Sequence, residues 1–281
     1  MSRGCEVVVT RSGARAMLDR SSGEVMHPIG GPLVEAERLY VEPARLAPRL
    51  CAPEPEPLVL LDVGLGAGSN AAAAIQLRLG LSGRARRLSV ISIDRQLDAF
   101  ELAIAPEHAS DFGWSGAAWG AARALAVSGA YRDAALSWSL RRADVLDALG
   151  REPPASVDVV FWDPFSPAAN PELWTLAAFV ALRRVCRAGA SVLTYSGATA
   201  VRSALLLAGF WVELGEPIAP GKRATRAVVG PEALSEPLGA RWLERLARSS
   251  APFPADAPPD ALDRIRRHPQ FFPGPPSARE R

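Results

Sequence analysis

Short apolar runs recur along most of this chain, near positions 58, 88, 137, 157, 190 and 210, each bounded by Gly, Pro, Asp or Asn. Such runs read as buried strands, and the helical patterns between them predict an α/β domain on a mostly parallel sheet. Ser69 to Leu79 and Val145 to Leu149 are expected helices. A third, Ala117 to Val127, lies in an otherwise ambiguous Gly- and Ala-rich stretch at 112–130. Arg226 to Gly230 predicts a last, antiparallel strand. Ahead of this domain, Val7 to Thr10 and Ala14 to Leu18 flank Arg-Ser-Gly as a β-hairpin. A short helix follows at Glu35 to Tyr40, then a stiff linker at Pro53, Pro55 and Pro57. Behind it come a helix at Leu238 to Ala247 and a Pro-rich tail, disordered by composition at Pro273 to Arg281. The expected division is an N-terminal extension at 1–52, a main domain at 53–231 and a tail at 232–281.

Two strand ends carry the chemistry. Val157 to Trp162 delivers Asp163 to a turn stiffened by Pro164 and Pro167. Pro is excluded from central strands, and open α/β sheets bind ligands outside the carboxyl ends of their strands, so Asp163 should stand at a site mouth. A carboxylate there can hold an amine; alternatively it caps the helix beginning near Pro171. Upstream, Leu58 to Val63 runs into a turn reading Asp62-x-Gly64-x-Gly66-x-Gly68, then Ser69 and Asn70 open a helix. Glycines let backbone approach a ligand closely. The spacing is not the dinucleotide fingerprint, whose last glycine would fall on Ser69, and the Gly-Lys-Ser/Thr ending of a phosphate loop is missing. Strand Leu88 to Ile93 ends in Asp94, placed to accept ribose hydroxyls or to cap a helix from Gln96. Asp144, after Leu136 to Arg142, suits an adenine amino group or the cap of the next helix equally well.

The turn at Asp62 resembles the signature of S-adenosylmethionine-dependent methyltransferases. From about Met26 to Val229 the sequence resembles the methyltransferase domain of MnmC-type enzymes, which finish 5-methylaminomethyl-(2-thio)uridine at the tRNA wobble position, and especially the stand-alone members without the oxidase half. Its most specific pieces are Asp163-Pro-Phe-Ser-Pro with Asn170-Pro-Glu-Leu-Trp174-Thr, Leu193-Thr-Tyr-Ser196, Val201-Arg202 and Ala208-Gly-Phe210. His27-Pro-Ile-Gly-Gly-Pro32 with Glu35-Ala and Leu39-Tyr-Val41, and Gly221-Lys-Arg223 with Thr225 and Ala227, extend it. The likeness implies a class I Rossmann-like fold with a mostly parallel seven-stranded sheet, and S-adenosyl-L-methionine as cofactor. It places Gly64, Gly66 and Gly68 along the methionine part, with Asp62 and Asn70 in the same turn, Asp94 at the ribose and Asp144 at the adenine. Asp163 would be catalytic. Glu35, Pro164, Phe165, Ser166, Tyr195, Lys222 and Arg223 would meet the substrate. The implied partners are tRNA and a separate FAD-dependent oxidase acting upstream. Bifunctional members usually have Leu-Asp-Gly-Phe where this chain has Trp162 to Phe165, and often Glu where Asp94 stands, which favours the single-domain branch.

The chemistry is consistent with that implication. A sulfonium methyl is already activated and its leaving group departs neutral, so the protein chiefly aligns the nucleophile and excludes water. An aminomethyl acceptor must first lose a proton, which a carboxylate such as Asp163 can accept or relay. Phe165 would pack on the uracil face, the usual way an extruded base is held. Trp174, at helical spacing with Phe179 and Leu182, reads as core.

With 281 residues and 48% hydrophobic content, the chain can bury one good-sized core plus an accessory piece. No run approaches a membrane span, and Met1 to Gly13 lacks the features of a signal peptide, so the cytoplasm is the expected compartment. Cys5, Cys51 and Cys186 form no pair pattern and His27, His108 and His268 are scattered, so neither disulfides nor a metal site is expected. Net charge is only +2, and Lys222 is the sole lysine. Arginines cluster at Arg84, Arg86 and Arg87; Arg141 and Arg142; Arg183, Arg184 and Arg187; and Arg223 and Arg226 beside Lys222. The mild charge leaves open a small-molecule or protein amine as acceptor, or a non-catalytic cofactor-binding role. An aminopropyl transferase would show a glycine-denser turn with diamine-fixing acids, absent at 64–70. If several arginines neutralise phosphates, tRNA affinity should fall steeply between roughly 50 and 200 mM salt. A flat response in filter binding would count against tRNA.

Overall fold

A computed structural model describes residues 4–27, 30–81 and 85–272. Strands β1 (Cys5–Val9), β2 (Arg15–Asp19) and β3 (Val25–Met26) form a small antiparallel sheet. Helix α1 (Pro32–Ala36) runs directly into a π-helical turn, Glu37–Val41, and α2 (Leu46–Leu50) follows. The main domain then alternates β4 (Leu58–Val63), α3 (Ser69–Gly80), β5 (Leu88–Asp94), α4 (Asp98–Ala103), α5 (Gly116–Ser128), β6 (Ala130–Arg132) and β7 (Leu136–Arg142). It continues with α6 (Val145–Arg151), β8 (Val157–Trp162), α7 (Leu176–Val185), β9 (Cys186–Thr194), α8 (Thr199–Leu207), β10 (Trp211–Ala219) and β11 (Lys222–Val228). Helices α9 (Ala240–Arg248) and α10 (Ala261–Arg266) close the described chain.

The main sheet has eight strands in the order β10-β11-β9-β8-β4-β5-β7-β6. Neighbours from β9 through β7 pair in parallel, while the β9–β11, β11–β10 and β7–β6 pairs toward the edges are antiparallel. From β4 the chain builds outward through β5 to β7, then returns to β8 on the other side of β4. The switch point therefore lies between β4 and β8, where a parallel sheet opens its ligand crevice. Period-two alternation splits the core into two layers. Leu60, Val159 and Phe161 face the Ala-rich helices α3 and α5, and Leu61, Val63, Val160 and Trp162 face the opposite layer with Phe179, Leu182 and Leu205. Both faces are covered, which explains why these strands read as continuous apolar runs. Small residues at Ala71 to Ala74 let α3 lie close to the sheet, and all four are buried.

The eighth strand, β6, was absent from the expected seven. It is only three residues long, set by Gly129 at φ 73, which ends α5 and turns the chain back along β7. So short an edge strand has no alternation to detect. The last strand begins at Lys222 and ends at Val228, earlier than the expected Arg226 to Gly230. The expected helix at Glu35 to Tyr40 is divided between α1 and the π-turn, and β3 is an unforeseen third strand of the hairpin sheet. Trp174 is core as expected, but it ends a separate 3-10 turn, Pro171–Trp174, ahead of α7. Pro28, Ile29, Arg84 and the Pro273 to Arg281 tail lie outside the described residues.

Several arginines that look like surface charge in the sequence are internal ties. Arg86 is buried, donates to the carbonyls of Glu56, Pro57 and Arg49, and pairs with Glu54, clamping the Pro-rich linker. Arg184 bonds the carbonyls of Leu149 and Glu152, and Arg187 pairs with Asp158. Gln270 bonds both backbone groups of Val212, so the C-terminal segment protects the sheet edge at β10. Arg202, 3% exposed, donates from Nε to Thr225 Oγ1 at 3.0 Å and from one amino nitrogen to the carbonyls of Arg223 and Ala224 at 2.9 and 3.0 Å. Burial lowers its pKa to about 10. Arg202→Met keeps the apolar stem but strands those acceptors, so denaturant unfolding is expected to show a loss of roughly 1–3 kcal/mol.

Candidate active site

The crevice at the switch point is built by a close approach of two strand ends. Gly64, at φ 82 just after β4, sits so near the chain after β8 that a Cβ on it would fall 2.6 Å from the Asp163 carbonyl oxygen. The same contact is sealed by Asp163 N–H donating to Val63 O at 2.9 Å. The turn continues to Gly66, whose N–H donates to Asp94 Oδ2 at 3.0 Å, while Asp94 Oδ1 accepts from Gln96 N at 3.1 Å. Asp94 thus staples the glycine turn to the end of β5, and α4 begins only at Asp98.

Asp163 is locked from three sides. Its Oδ1 accepts from Tyr40 Oη at 2.5 Å, its Oδ2 accepts from Asn70 Nδ2 at 2.7 Å, and His27 Nε2 stands 3.8 Å from Oδ2. Burial raises the Asp163 pKa, opposed by His27 and the Tyr40 and Asn70 hydrogen bonds. The turn beyond it is equally tied. Tyr195 Oη donates to Pro164 O at 3.2 Å, Trp174 Nε1 donates to Phe165 O at 2.9 Å, and Ser166 donates from N and Oγ to Glu24 of the N-terminal extension. Asp163 does not cap the 3-10 turn near Pro171, whose N-cap position is Asn170.

These groups line one cavity of about 940 Å³. Gly64, Gly66, Asp94, Asp144 and Asp163 are in its wall, as are Glu35, Pro164, Phe165, Ser166 and Tyr195. Asp144 caps α6, its Oδ1 accepting from Leu146 N, and its Oδ2 lies 3.6 Å from Arg95. Three residues expected at the cofactor stand behind the wall. Gly68 packs on the aromatic layer beneath the turn, where a Cβ would come 2.6 Å from Trp114 and 2.9 Å from Phe100. Asn70 points to Asp163. Asp62 is 1% exposed, accepting from Ser92 Oγ at 2.8 Å, with Oδ1 unpartnered among the described residues. Lys222 and Arg223 line a smaller adjoining groove with Arg38, and Ile218 borders both spaces. There Arg223 is bound to Glu236 and to Gly215 O.

Sequence reasoning missed His27, Tyr40 and Glu24 as members of this wall. Tyr40 reaches it through the π-turn, in which Glu42 N bonds Glu37 O across five residues. That wider winding carries residues five apart toward one face, so Tyr40 joins Glu35 as no α-helical pattern predicts. His27 opens the His27-Pro-Ile-Gly-Gly-Pro32 segment of the resemblance, and the structure holds its backbone at a positive φ of 54. Among the described residues, no cluster of His, Cys, Asp and Glu could hold a metal ion.

Residues 119–229 match a family described as S-adenosyl-L-methionine-dependent methyltransferase. The tRNA 5-methylaminomethyl-2-thiouridine biosynthesis bifunctional protein MnmC of Polaromonas naphthalenivorans is 42% identical over 76 residues, covering 27% of this chain and 12% of that protein. Its counterpart in Nitrosospira multiformis is 51% identical over 57 residues, 20% of this chain and 9% of that protein. The match spans about a tenth of those relatives' length. The crystal structure of MnmC2 from Aquifex aeolicus superposes with a TM-score of 0.75 at 25% identity, over 94% of this chain and 85% of that one. Spermidine synthase from Thermotoga maritima, at 13% identity and a TM-score of 0.52 over 82% and 70% of the two chains, shares the fold.

Burial raises the Asp62 pKa from 3.8 to about 7, with Asp163 and Asp94 adding to the rise and the Ser92 hydrogen bond opposing it. The folded state therefore holds the Asp62 proton more tightly than the unfolded chain. The resulting stability is full below about pH 4 and is lost as pH climbs through 7. Asp62→Asn is expected to flatten that decline, on the order of a few kcal/mol, in denaturation measured from pH 4 to 8.

Proposed function

We propose that this S-adenosyl-L-methionine-dependent methyltransferase, similar to MnmC2, methylates the 5-aminomethyl nitrogen of a wobble (2-thio)uridine in tRNA. One observation carries the reading: the glycine turn after β4 and the fixed carboxylate of Asp163 after β8 share a single cavity at the switch point. The residues fit the cofactor. Gly64 and Gly66 present backbone without a side chain in the cavity wall, and Asp94 and Asp144 would supply acceptors for ribose hydroxyls and the adenine amino group. Their hydrogen bonds to backbone still leave lone pairs on each carboxylate oxygen. The wall is rich in carboxylates, Asp19, Asp98 and Glu172 among them, which favours a ligand carrying a sulfonium and an ammonium group. When bound, that cofactor supplies an electrophilic methyl group with a neutral leaving group.

The chain's own residues supply alignment. Asp163, immobilised by Tyr40 and Asn70, would accept a hydrogen bond from the acceptor ammonium and fix its direction of approach. Phe165, in the cavity wall and held through its carbonyl by Trp174, would offer its ring to the base. Lys222 and Arg38, on the adjoining groove, would meet phosphates of the same strand. A separate FAD-dependent oxidase would release the primary amine upstream. Among the described residues no helix is long and apolar enough to cross a membrane.

A second reading, methylation of a small-molecule or protein amine, is favoured by the net charge of +2 and by the internal ties of Arg86, Arg184 and Arg187. Incubation with labelled cofactor and tRNA from a strain lacking the final methyl separates the two. The expected outcome is label on tRNA with wild type and, with the alignment lost, about a 10²-fold slower transfer with Asp163→Ala. Full transfer by the variant would rule out this role for Asp163, and label on free amines but never on tRNA would favour the second reading.

A further inference from the structure

Methylating an amine leaves one question of chemistry open: which group takes the proton that the acceptor must shed before its lone pair can attack. A carboxylate ordinarily ionises near pH 4 and an alkylammonium near 10, so proton transfer to Asp163 is uphill, less so by the amount that burial raises its pKa. The hydrogen bonds from Tyr40 and Asn70 to its two oxygens stabilise the ionised carboxylate and suit it to orienting the nitrogen. The tyrosines of the wall, Tyr40 and Tyr195, are kept protonated by burial. Glu24 is engaged by Ser166, and Glu35 accepts from Gly30 N at 2.8 Å.

His27 is differently placed. It follows β3 and lines the cavity with its side chain 13% exposed. Its backbone is held at φ 54, a conformation that costs a non-glycine residue energy and persists where surrounding structure enforces it. The 3.8 Å between Nε2 and Asp163 Oδ2 is too long for a direct hydrogen bond. It is the right span for one nitrogen to sit at hydrogen-bond distance from both. We propose that His27 is the catalytic base, taking the proton from the acceptor ammonium while Asp163 holds the nitrogen in line; this rests on the amine-methylation reading above.

One N–H bond breaks and its proton passes to Nε2, giving an imidazolium. The freed nitrogen lone pair forms the bond to the methyl carbon, and the electron pair of the carbon–sulfur bond leaves with sulfur. The imidazolium then returns its proton to solvent through the open cavity. An imidazole, ordinarily more basic than a carboxylate, makes the first transfer less uphill. The titratable groups that share the cavity wall with it include Asp163 and Tyr195 from the sheet ends, Glu35 and Tyr40 from α1 and the π-turn, and Asp19 and Glu24 from the N-terminal extension, with Asp94, Arg95, Asp98, Asp144 and Glu172 from the main domain.

Two variants test the assignment. His27→Asn keeps a residue tolerant of positive φ, and His27→Gly suits that backbone and leaves a hole the size of the ring. Single-turnover transfer to the unmethylated tRNA should fall at least about 10²-fold in both. The rise of rate with pH near neutrality should be lost, and added imidazole should restore His27→Gly in a saturable way. In the wild type, the NMR signals of the His27 ring should shift when 5-aminomethyluridine is added, and both variants should still unfold in one cooperative thermal transition. Variants equal to wild type at every pH, or a loss that imidazole leaves untouched with the pH profile unchanged in shape, would overturn the role of His27 alone. A wild type that transfers nothing to that tRNA would overturn the acceptor assignment and the base with it.

Discussion

The whole site depends on two strand ends being allowed to touch. Because residue 64 has no side chain, the chain leaving β4 can lie against the Asp163 carbonyl, and the Asp163 N–H closes the gap onto Val63. That contact sets the floor of the cavity and fixes the origin of the Asp163 side chain. Any Cβ at position 64 would push the two apart and separate the glycine turn from the carboxylate.

Around this floor, support is layered by charge and burial. Asp62, Asp94 and Asp163 lie at the ends of adjacent strands, and burial raises the pKa of all three. The carboxylates in the wall itself, Asp94 and Asp163 with Asp144, cost the empty fold stability and favour a cationic occupant, so stability is exchanged for affinity at one place. The strain at His27 belongs to the same exchange. Beneath the turn, Trp114 stacks on Trp138 at 5.7 Å and Phe100 meets both edge-on, giving the glycine turn a rigid base.

The N-terminal extension is part of the site. Glu24 holds the turn after Asp163, Tyr40 packs its ring on Phe161 at 5.3 Å while its hydroxyl reaches the carboxylate, and Arg49 bonds Ser191 and the carbonyl of Asp158. These ties run from the extension to β8 and β9, so the extension and the sheet define the cavity jointly. The hairpin visible in the sequence gave no sign of this, since its own residues are satisfied by short-range pairing whatever it docks against.

What the sequence by itself determined was local. A strand ending in Asp163-Pro164, a strand ending in a glycine turn, and the parallel sheet joining them follow from apolar runs and backbone-restricted residues, whose preferences act over a few positions. The cavity-wall placement of Asp94, Asp144 and Asp163 follows from the same rule, because a parallel sheet gathers strand ends on one edge. Tertiary structure decided which side chains meet there. Tyr40, Asn70 and His27 converge on Asp163 from 123, 93 and 136 residues away, and Arg86 and Arg184 turn inward rather than outward. Such meetings depend on how packed layers orient each side chain, through a π-turn at one position and a left-handed backbone at another, and no pattern of neighbouring residues encodes that orientation.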